Sequence, residues 1–441
     1  MPDHEFKKLC VRNIYHVIRK FNLGLRLISY TETSSLCKFD LYSYGRISDI
    51  KRLEDEFQNV LGKKTTVEAS DGYVNIIISK PRRDVLPLRD ILYSPFYKTC
   101  PARLKIALGE CVDGAYIAGD LEEWIHVLVA GETGGGKSVL LHTMIYSLIH
   151  EYTPEEVRFV LIDLKHVEFV FYEDIAYLQT PVIYDAYHAT KTLKWLCKEM
   201  DRRFMLFKKY KVRDINGYNE QVGKMHRIVI IIDEYANLIL TSKEAGNELI
   251  KLAQMARAAG IHLIISTQKP SKEIVTPLIK ANIPTRIALS VSSHYDSMVI
   301  LDKPGAEKLN GKGDMILKDD TGFYRIQGAY ISREEIEELT KNIKAENNYL
   351  YAIEIGEETT AIEEMEEDTE MNPLYLEAAK ECILNKQCNH WFIKKKLRVG
   401  DRKGFEILEW LQKEGIVGKE KEGRDYPILM TTEELEGKYG L

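Results

Sequence analysis

Eight residues, GETGGGKS at 131–138, constrain this chain more than any other segment. They follow an apolar run, HVLVA (126–130), and lead into a helical run, VLLHTMIYSLIH. The pattern G-x-x-x-x-G-K-[ST] between a strand and a helix is a phosphate-binding loop. Gly131, Gly134, Gly135 and Gly136 let the backbone curl tightly and present its N–H groups to phosphate oxygens. Lys137 places a positive charge on the β- and γ-phosphates, Ser138 offers a hydroxyl to Mg2+, and the helix N-terminus adds its dipole. The expected nucleotide contacts are Gly131, Glu132, Thr133, Gly134, Gly135, Gly136, Lys137, Ser138 and Val139, with ATP and Mg2+ as cofactors.

A second segment completes such a site. RIVIIIDEYANL (227–238) delivers two adjacent acids at the end of an apolar run, where ligands bind in open α/β sheets. Asp233 is the expected outer partner of Mg2+, and Glu234 the base that polarises an attacking water. The adjacent acids favour hydrolysis over nucleotide sensing. No acceptor-site motif supports a kinase. A third run, IHLIISTQKP (261–270), ends in Thr267-Gln268, and Gln268 is placed to sense the γ-phosphate.

The runs 126–130, 157–163, 227–233 and 261–267 are short, apolar and separated by long helical stretches such as 188–211 and 244–258. That alternation predicts an α/β fold, a RecA-like P-loop NTPase with a mostly parallel sheet covered by helices. A small α+β domain (1–95) precedes it, with YVNIII (73–78) as a buried strand ended by Pro81. The motor is expected over 96–345, an acidic linker over 346–372, and a winged-helix domain over 373–435. The tail supports that outline with helical segments near 374–384, 389–397 and 401–413, then a glycine-punctuated pair of strands within 416–430.

The net charge of −6 argues against nucleic acid until its distribution is considered. Residues 351–372 hold nine acidic residues and no Lys or Arg, so the remainder carries +3. Such charge density cannot bury a core. The seven cysteines show no C-x-x-C spacing, which excludes a zinc site of that type and fits a reducing compartment. No stretch approaches the roughly 18 apolar residues of a membrane span, and the N-terminus lacks a signal-peptide core. A cytoplasmic location is expected, with membrane contact only through a partner or a missing segment.

The chain from about 104 to 331 resembles the motor domain of the FtsK/SpoIIIE family. The resemblance is carried by LIDLKHVEF (161–169), GYNEQV (217–222), LAQMARAAGIHLIISTQKPS (252–271) and LIKANIPTRIALSVSSHYDSMVILDKPGAEKLNGKGDMIL (278–317), besides the two acids and the loop. It implies an ATP-driven translocase of double-stranded DNA acting as a homo-hexamer, as in chromosome partitioning or mobile-element transfer. Nucleotide would sit between subunits, where Arg286 is the expected arginine finger and Arg257 the second choice. Lys165 and Glu168 match a family segment near the nucleotide. Related motors also serve conjugation or type VII protein export, but those exporters usually carry tandem motors and no winged helix. Family members that pump chromosomes usually carry N-terminal membrane spans, which are not found here.

The tail gathers Lys386, Lys394, Lys395, Lys396, Arg398, Arg402 and Lys403, with Asp401 the one acid among them. Lys394, Lys395, Lys396, Arg398, Arg402 and Lys403 are the expected DNA contacts, with lysines on phosphates and arginines able to read guanine. Glu406 stands where relatives tend to carry a basic residue, which leaves open whether this tail reads a different sequence or has lost orientation reading.

Overall fold

The computed structural model describes residues 3–46, 50–70, 72–346, 373–397, 401–418, 426–432 and 434–435. Contacts divide the chain into two units, Met1–Gly356 and Glu357–Leu441.

The first unit opens with a small layered domain. It runs α1 (Asp3–Lys20), β1 (Leu25–Glu32), β2 (Leu36–Ser43), α2 (Glu54–Leu61), β3 (Thr65–Ser70) and β4 (Tyr73–Ser79). The strands form an antiparallel sheet in the order β1-β2-β4-β3. The strand pattern explains why one face is covered: Phe39, Leu41, Val74, Ile76 and Ile78 stand at alternate positions and share one buried face. Against them pack Phe6, Cys10, Ile14 and Val17 of α1, and Phe57 and Leu61 of α2, at the three-to-four residue spacing of one helix face.

The rest of this unit is built on a nine-stranded sheet among the described residues. Its strands are β5 (Lys105–Cys111), β6 (Tyr116–Asp120), β7 (His126–Ala130), β8 (Val157–Asp163), β9 (Arg227–Asp233), β10 (Ile261–Thr267), β11 (Thr285–Ala288), β12 (Asp314–Lys318) and β13 (Phe323–Gly328). The order is β6-β5-β13-β12-β11-β7-β10-β9-β8. From β11 to β8 every neighbour is parallel, giving the RecA-like core. From β11 to β6 the pairing turns antiparallel, an extension the sequence pattern did not announce.

Helices cover both faces, which is why the parallel strands read as unbroken apolar runs. Val127, Val129, Phe159, Leu161, Val229 and Ile231 face one layer with Leu141, Met144 and Leu148 of α3 (Lys137–Glu151). Leu128, Val160, Ile230 and Leu263 face the other, with α4 (Ala186–Tyr210) and α5 (Lys243–Met255). The parallel strands all end at one edge, and the loops after β7, β8, β9 and β10 meet there. A further helix, α6 (Arg333–Glu346), follows the last strand.

The second unit contains α7 (Pro373–Asn385), α8 (His390–Leu397) and α9 (Asp401–Lys413) among its described residues. Ala379, Cys382, Ile393, Ile407, Leu408 and Leu411 bury a small core of their own. Val417 and Ile428 form an antiparallel bridge after α9. The acidic tract 351–372, Arg398 and the loop 419–424 lie outside the described residues, as do the side chains of Arg402, Lys403 and Glu406.

Candidate functional site

The loop from Gly131 to Gly136 folds into a cradle held by main-chain bonds. Gly131 N donates to Thr267 O at 3.2 Å, Glu132 N to Ser290 O at 2.9 Å, and Gly135 N to Glu132 O at 3.1 Å. Gly134 and Gly136 adopt φ of +81° and +111°, which an L side chain resists. Crowding adds to that need: a Cβ on Gly131 would lie 2.6 Å from the Cβ of Leu289.

At the helix start, Lys137 is almost wholly buried. Its Nζ pairs with Asp233 Oδ1 and donates to Ser266 Oγ at 3.1 Å. Ser266 Oγ donates in turn to Asp233 at 3.1 Å. The three groups therefore satisfy one another in a dry place, where a cation and a carboxylate are tolerable only together. Ser138 Oγ donates to Glu168 Oε1 at 2.5 Å. Glu168 also lies 3.6 Å from His142 Nε2, and this imidazole bond, against the upward push of burial, holds its carboxyl below the usual range.

Glu234 stands apart in conformation. Its φ of +60° and ψ of +65° lie in the left-handed region, where a non-glycine residue costs about 1 kcal/mol. The turn aims the carboxylate at the end of β10. There it accepts from Thr267 Oγ1 at 2.9 Å and Gln268 N at 3.2 Å, while Lys165 Nζ reaches it at 3.2 Å. Gln268 closes the circuit, because its Oε1 accepts from Thr133 Oγ1 at 2.9 Å. The loop's tip, the second acid and the third strand are thus joined by direct hydrogen bonds.

Asp163 is not among the residues that the sequence motifs single out. It ends β8 in register with Asp233 on β9 and is fully buried. Its carboxylate accepts from the N–H groups of Lys165 at 3.1 Å, Val167 at 2.8 Å, Glu168 at 2.8 Å and Phe169 at 3.2 Å. This bonding shapes the loop that brings Lys165 to Glu234 and Glu168 to Ser138. The signal was present: an acid closing a strand of the same type as β9.

Residues 87–272 match the family model described as FtsK/SpoIIIE. The DNA translocase FtsK of Haemophilus influenzae is 37% identical over 387 residues, covering 80% of this chain and 73% of that protein. The chain belongs to the FtsK/SpoIIIE family. Another FtsK/SpoIIIE relative, the DNA translocase FtsK of Caldanaerobacter subterraneus subsp. tengcongensis, is 37% identical over 439 residues, or 96% of this chain. The chain spans 61% of that relative's length. A solved structure of the pCW3 conjugation coupling protein TcpA, in monomer form with ATPgS, shares the fold with a TM-score of 0.55 at 24% identity, covering 76% of this chain and 99% of that one.

Within this FtsK/SpoIIIE chain the remaining candidates fall elsewhere. Arg286 on β11 is 6% exposed, and its guanidinium donates to Ile283 O, Ile300 O, Lys280 O and Asp302 Oδ2 at 2.6–3.3 Å. Within its own chain it binds a structural corner and does not join the loop or the acids. Arg257 is exposed and lines a separate cleft with Arg103, Arg213 and Asp214. In the second unit, Lys396 pairs with Glu381 at 2.8 Å and Lys395 lies 4.9 Å over the Trp391 ring, whereas Lys394 is half-buried. No described helix is long and apolar enough to cross a membrane.

Proposed function

We propose that this chain is the motor portion of an ATP-driven translocase of double-stranded DNA. The observation that carries the reading is the pairing of Lys137 with Asp233, beside a Glu234 whose carboxylate is held by Lys165, Thr267 and Gln268. A phosphate loop, a cation and two acids converge on one strand edge, as cleavage of a triphosphate requires.

In this reading the N–H groups of 131–138 bind the phosphates and Lys137 neutralises their charge. Glu234 accepts a proton from the attacking water, which forms a bond to the γ-phosphorus as the bond to the bridging oxygen breaks. ADP and phosphate leave. Ser138 and Asp233 would hold Mg2+, which withdraws charge from the phosphate oxygens. The donor set fits that ion, since Mg2+ usually takes one or two carboxylates and completes its shell with phosphates and water. Among the described residues no group of three or more His, Cys, Asp or Glu side chains could hold a metal alone. Gln268, through Thr133 and through its N–H on Glu234, reports the loss of the γ-phosphate.

Double-stranded DNA, a homo-hexameric ring and a C-terminal winged helix complete the proposal. The order of three helices and an antiparallel bridge in the second unit supports the winged helix. Of the two finger candidates, Arg257 is exposed, whereas Arg286 would have to leave the four oxygens it bonds within its own chain.

The test is steady-state ATP hydrolysis by the full chain with and without linear duplex. The proposal expects several-fold stimulation, and an affinity whose logarithm falls linearly with log salt. Equal rates with and without duplex, at every salt concentration, contradict it.

A further inference from the structure

Ser138 and His142 stand one turn apart on α3, so their side chains leave the same face of the helix. Facing them is the loop after β8, where Glu168 precedes Phe169 and the short turn Val170–Tyr172. Glu168 lines the cleft of about 820 Å3 beside the phosphate loop, together with Lys137 and Ser138. His142 and Tyr172 are outside that lining, and both are buried.

The hydrogen bonds among these four groups have a fixed direction. Tyr172 is wholly buried, and burial pushes its phenol up, so the hydroxyl keeps its hydrogen. A buried hydroxyl hydrogen without an acceptor is costly, and the partner of this one is His142 Nδ1 at 3.0 Å. The phenol therefore donates and Nδ1 accepts, which places the hydrogen of the ring on Nε2. His142 Nε2 faces Glu168 Oε2 at 3.6 Å, and Glu168 Oε1 accepts from Ser138 Oγ at 2.5 Å. The main chain fixes the carboxylate as well, because Glu168 N donates to Asp163 Oδ2 at 2.8 Å. The Phe169 ring lies edge-on to His142 at 6.5 Å and closes the other side of the imidazole.

A hydroxyl has one hydrogen and two lone pairs. Since Glu168 takes the hydrogen of Ser138, this hydroxyl offers only lone pairs to any further group, as a cation requires. We propose that Glu168 is a positioning residue for the Mg2+ of the nucleotide site: steered by His142 and Tyr172, it takes the Ser138 hydrogen and leaves the oxygen to the ion. The proposal rests on the nucleotide reading above. It separates the work of Glu168 from that of Asp233, whose carboxylate pairs with Lys137.

The experiment is calorimetric titration of the full chain with ATP, once with Mg2+ and once with EDTA, so that the ratio gives the affinity gained from the ion. Glu168→Ala should cut that gain about tenfold, the scale set by outer partners of metal ligands. Its affinity for ATP in EDTA should stay within about twofold of wild type, which also shows that the loop remains folded. His142→Ala should cut the gain a few-fold. Glu168→Gln keeps the shape and a side-chain oxygen that accepts from Ser138, and should retain the gain within about threefold. In a Ser138→Ala background, Glu168→Ala should cost nothing more, because the hydroxyl it orients is gone. An unchanged gain in Glu168→Ala, equal weakening in both buffers, additivity with Ser138→Ala, or a Glu168→Gln chain as impaired as Glu168→Ala overturns the proposal and leaves the nucleotide reading intact. A wild-type chain that binds ATP in neither buffer overturns both.

Discussion

Gly313 donates its main-chain N–H to the carbonyl of Gly135 at 2.7 Å, so the turn before β12 closes over the phosphate loop. The fit leaves no room: a Cβ on Gly136 would lie 2.6 Å from Gly313 N. The same turn is gripped from the small N-terminal domain by Lys64 Nζ on Leu309 O at 2.6 Å, Ser79 Oγ on Asn310 Oδ1 at 2.7 Å, and Arg83.

Gly136→Ala should therefore lose nucleotide affinity, because the new methyl meets backbone and the φ of +111° suits glycine. We expect at least a tenfold rise in Kd for fluorescent ATP, about 1.4 kcal/mol or more. Arg83→Ala should weaken binding less, by a few-fold, since it loosens only the turn's outer support.

Lys137→Ala should abolish nucleotide binding and also lower Tm in the absence of nucleotide. The substitution leaves Asp233 buried with Ser266 as its main remaining partner, and breaking a buried ion pair costs about 3 kcal/mol. Lys137→Ala with Asp233→Asn should recover part of that Tm but none of the binding. Differential scanning fluorimetry and a binding titration separate the two effects.

Glu234→Gln should keep ATP bound while slowing its hydrolysis about 10²–10⁴-fold, because the amide can still accept from Thr267 and Gln268 but cannot take a proton. Rapid filtration of bound radiolabelled ATP checks the trap. Gln268→Ala should leave ATP affinity nearly unchanged and remove most stimulation by duplex.

Arg286→Ala should lower Tm by the equivalent of about 2 kcal/mol, since a guanidinium bonded to four oxygens is lost. Burial pushes the Asp302 carboxyl upward, but hydrogen bonds from Lys280, Arg286 and Lys318 overcome it and hold its pKa far below the usual range. A depressed carboxylate adds stability that is full above its unfolded value and is lost as pH falls through the folded one. The Tm gap between wild type and Arg286→Ala should thus be flat from about pH 8 to 5 and narrow only below about pH 4. Mixing Arg286→Ala or Arg257→Ala with Glu234→Gln subunits tests which arginine acts across an interface: the finger variant, supplied with the other chain, restores hydrolysis.

Much of this was written in the chain. The runs at 126–130, 157–163, 227–233 and 261–267 are strands over those same residues, because strands covered on both faces favour apolar side chains along most of their length. The antiparallel extension was not legible. Strands such as YIAGD (116–120) and DMILK (314–318) are short and mixed, and only pairing with distant neighbours gives them register. The site shows the same division. Lys137, Asp233 and Glu234 announce themselves by residue type and spacing, whereas Asp163 and Gly313 stand out only through what the fold sets beside them.

The most direct measurement is displacement of a triplex-forming strand from linear duplex by the purified chain. The account predicts release that requires ATP, fails with Lys137→Ala and Glu234→Gln, and is delayed in proportion to the distance between loading end and triplex. Release without ATP, or ATP turnover that never displaces the third strand, would contradict it.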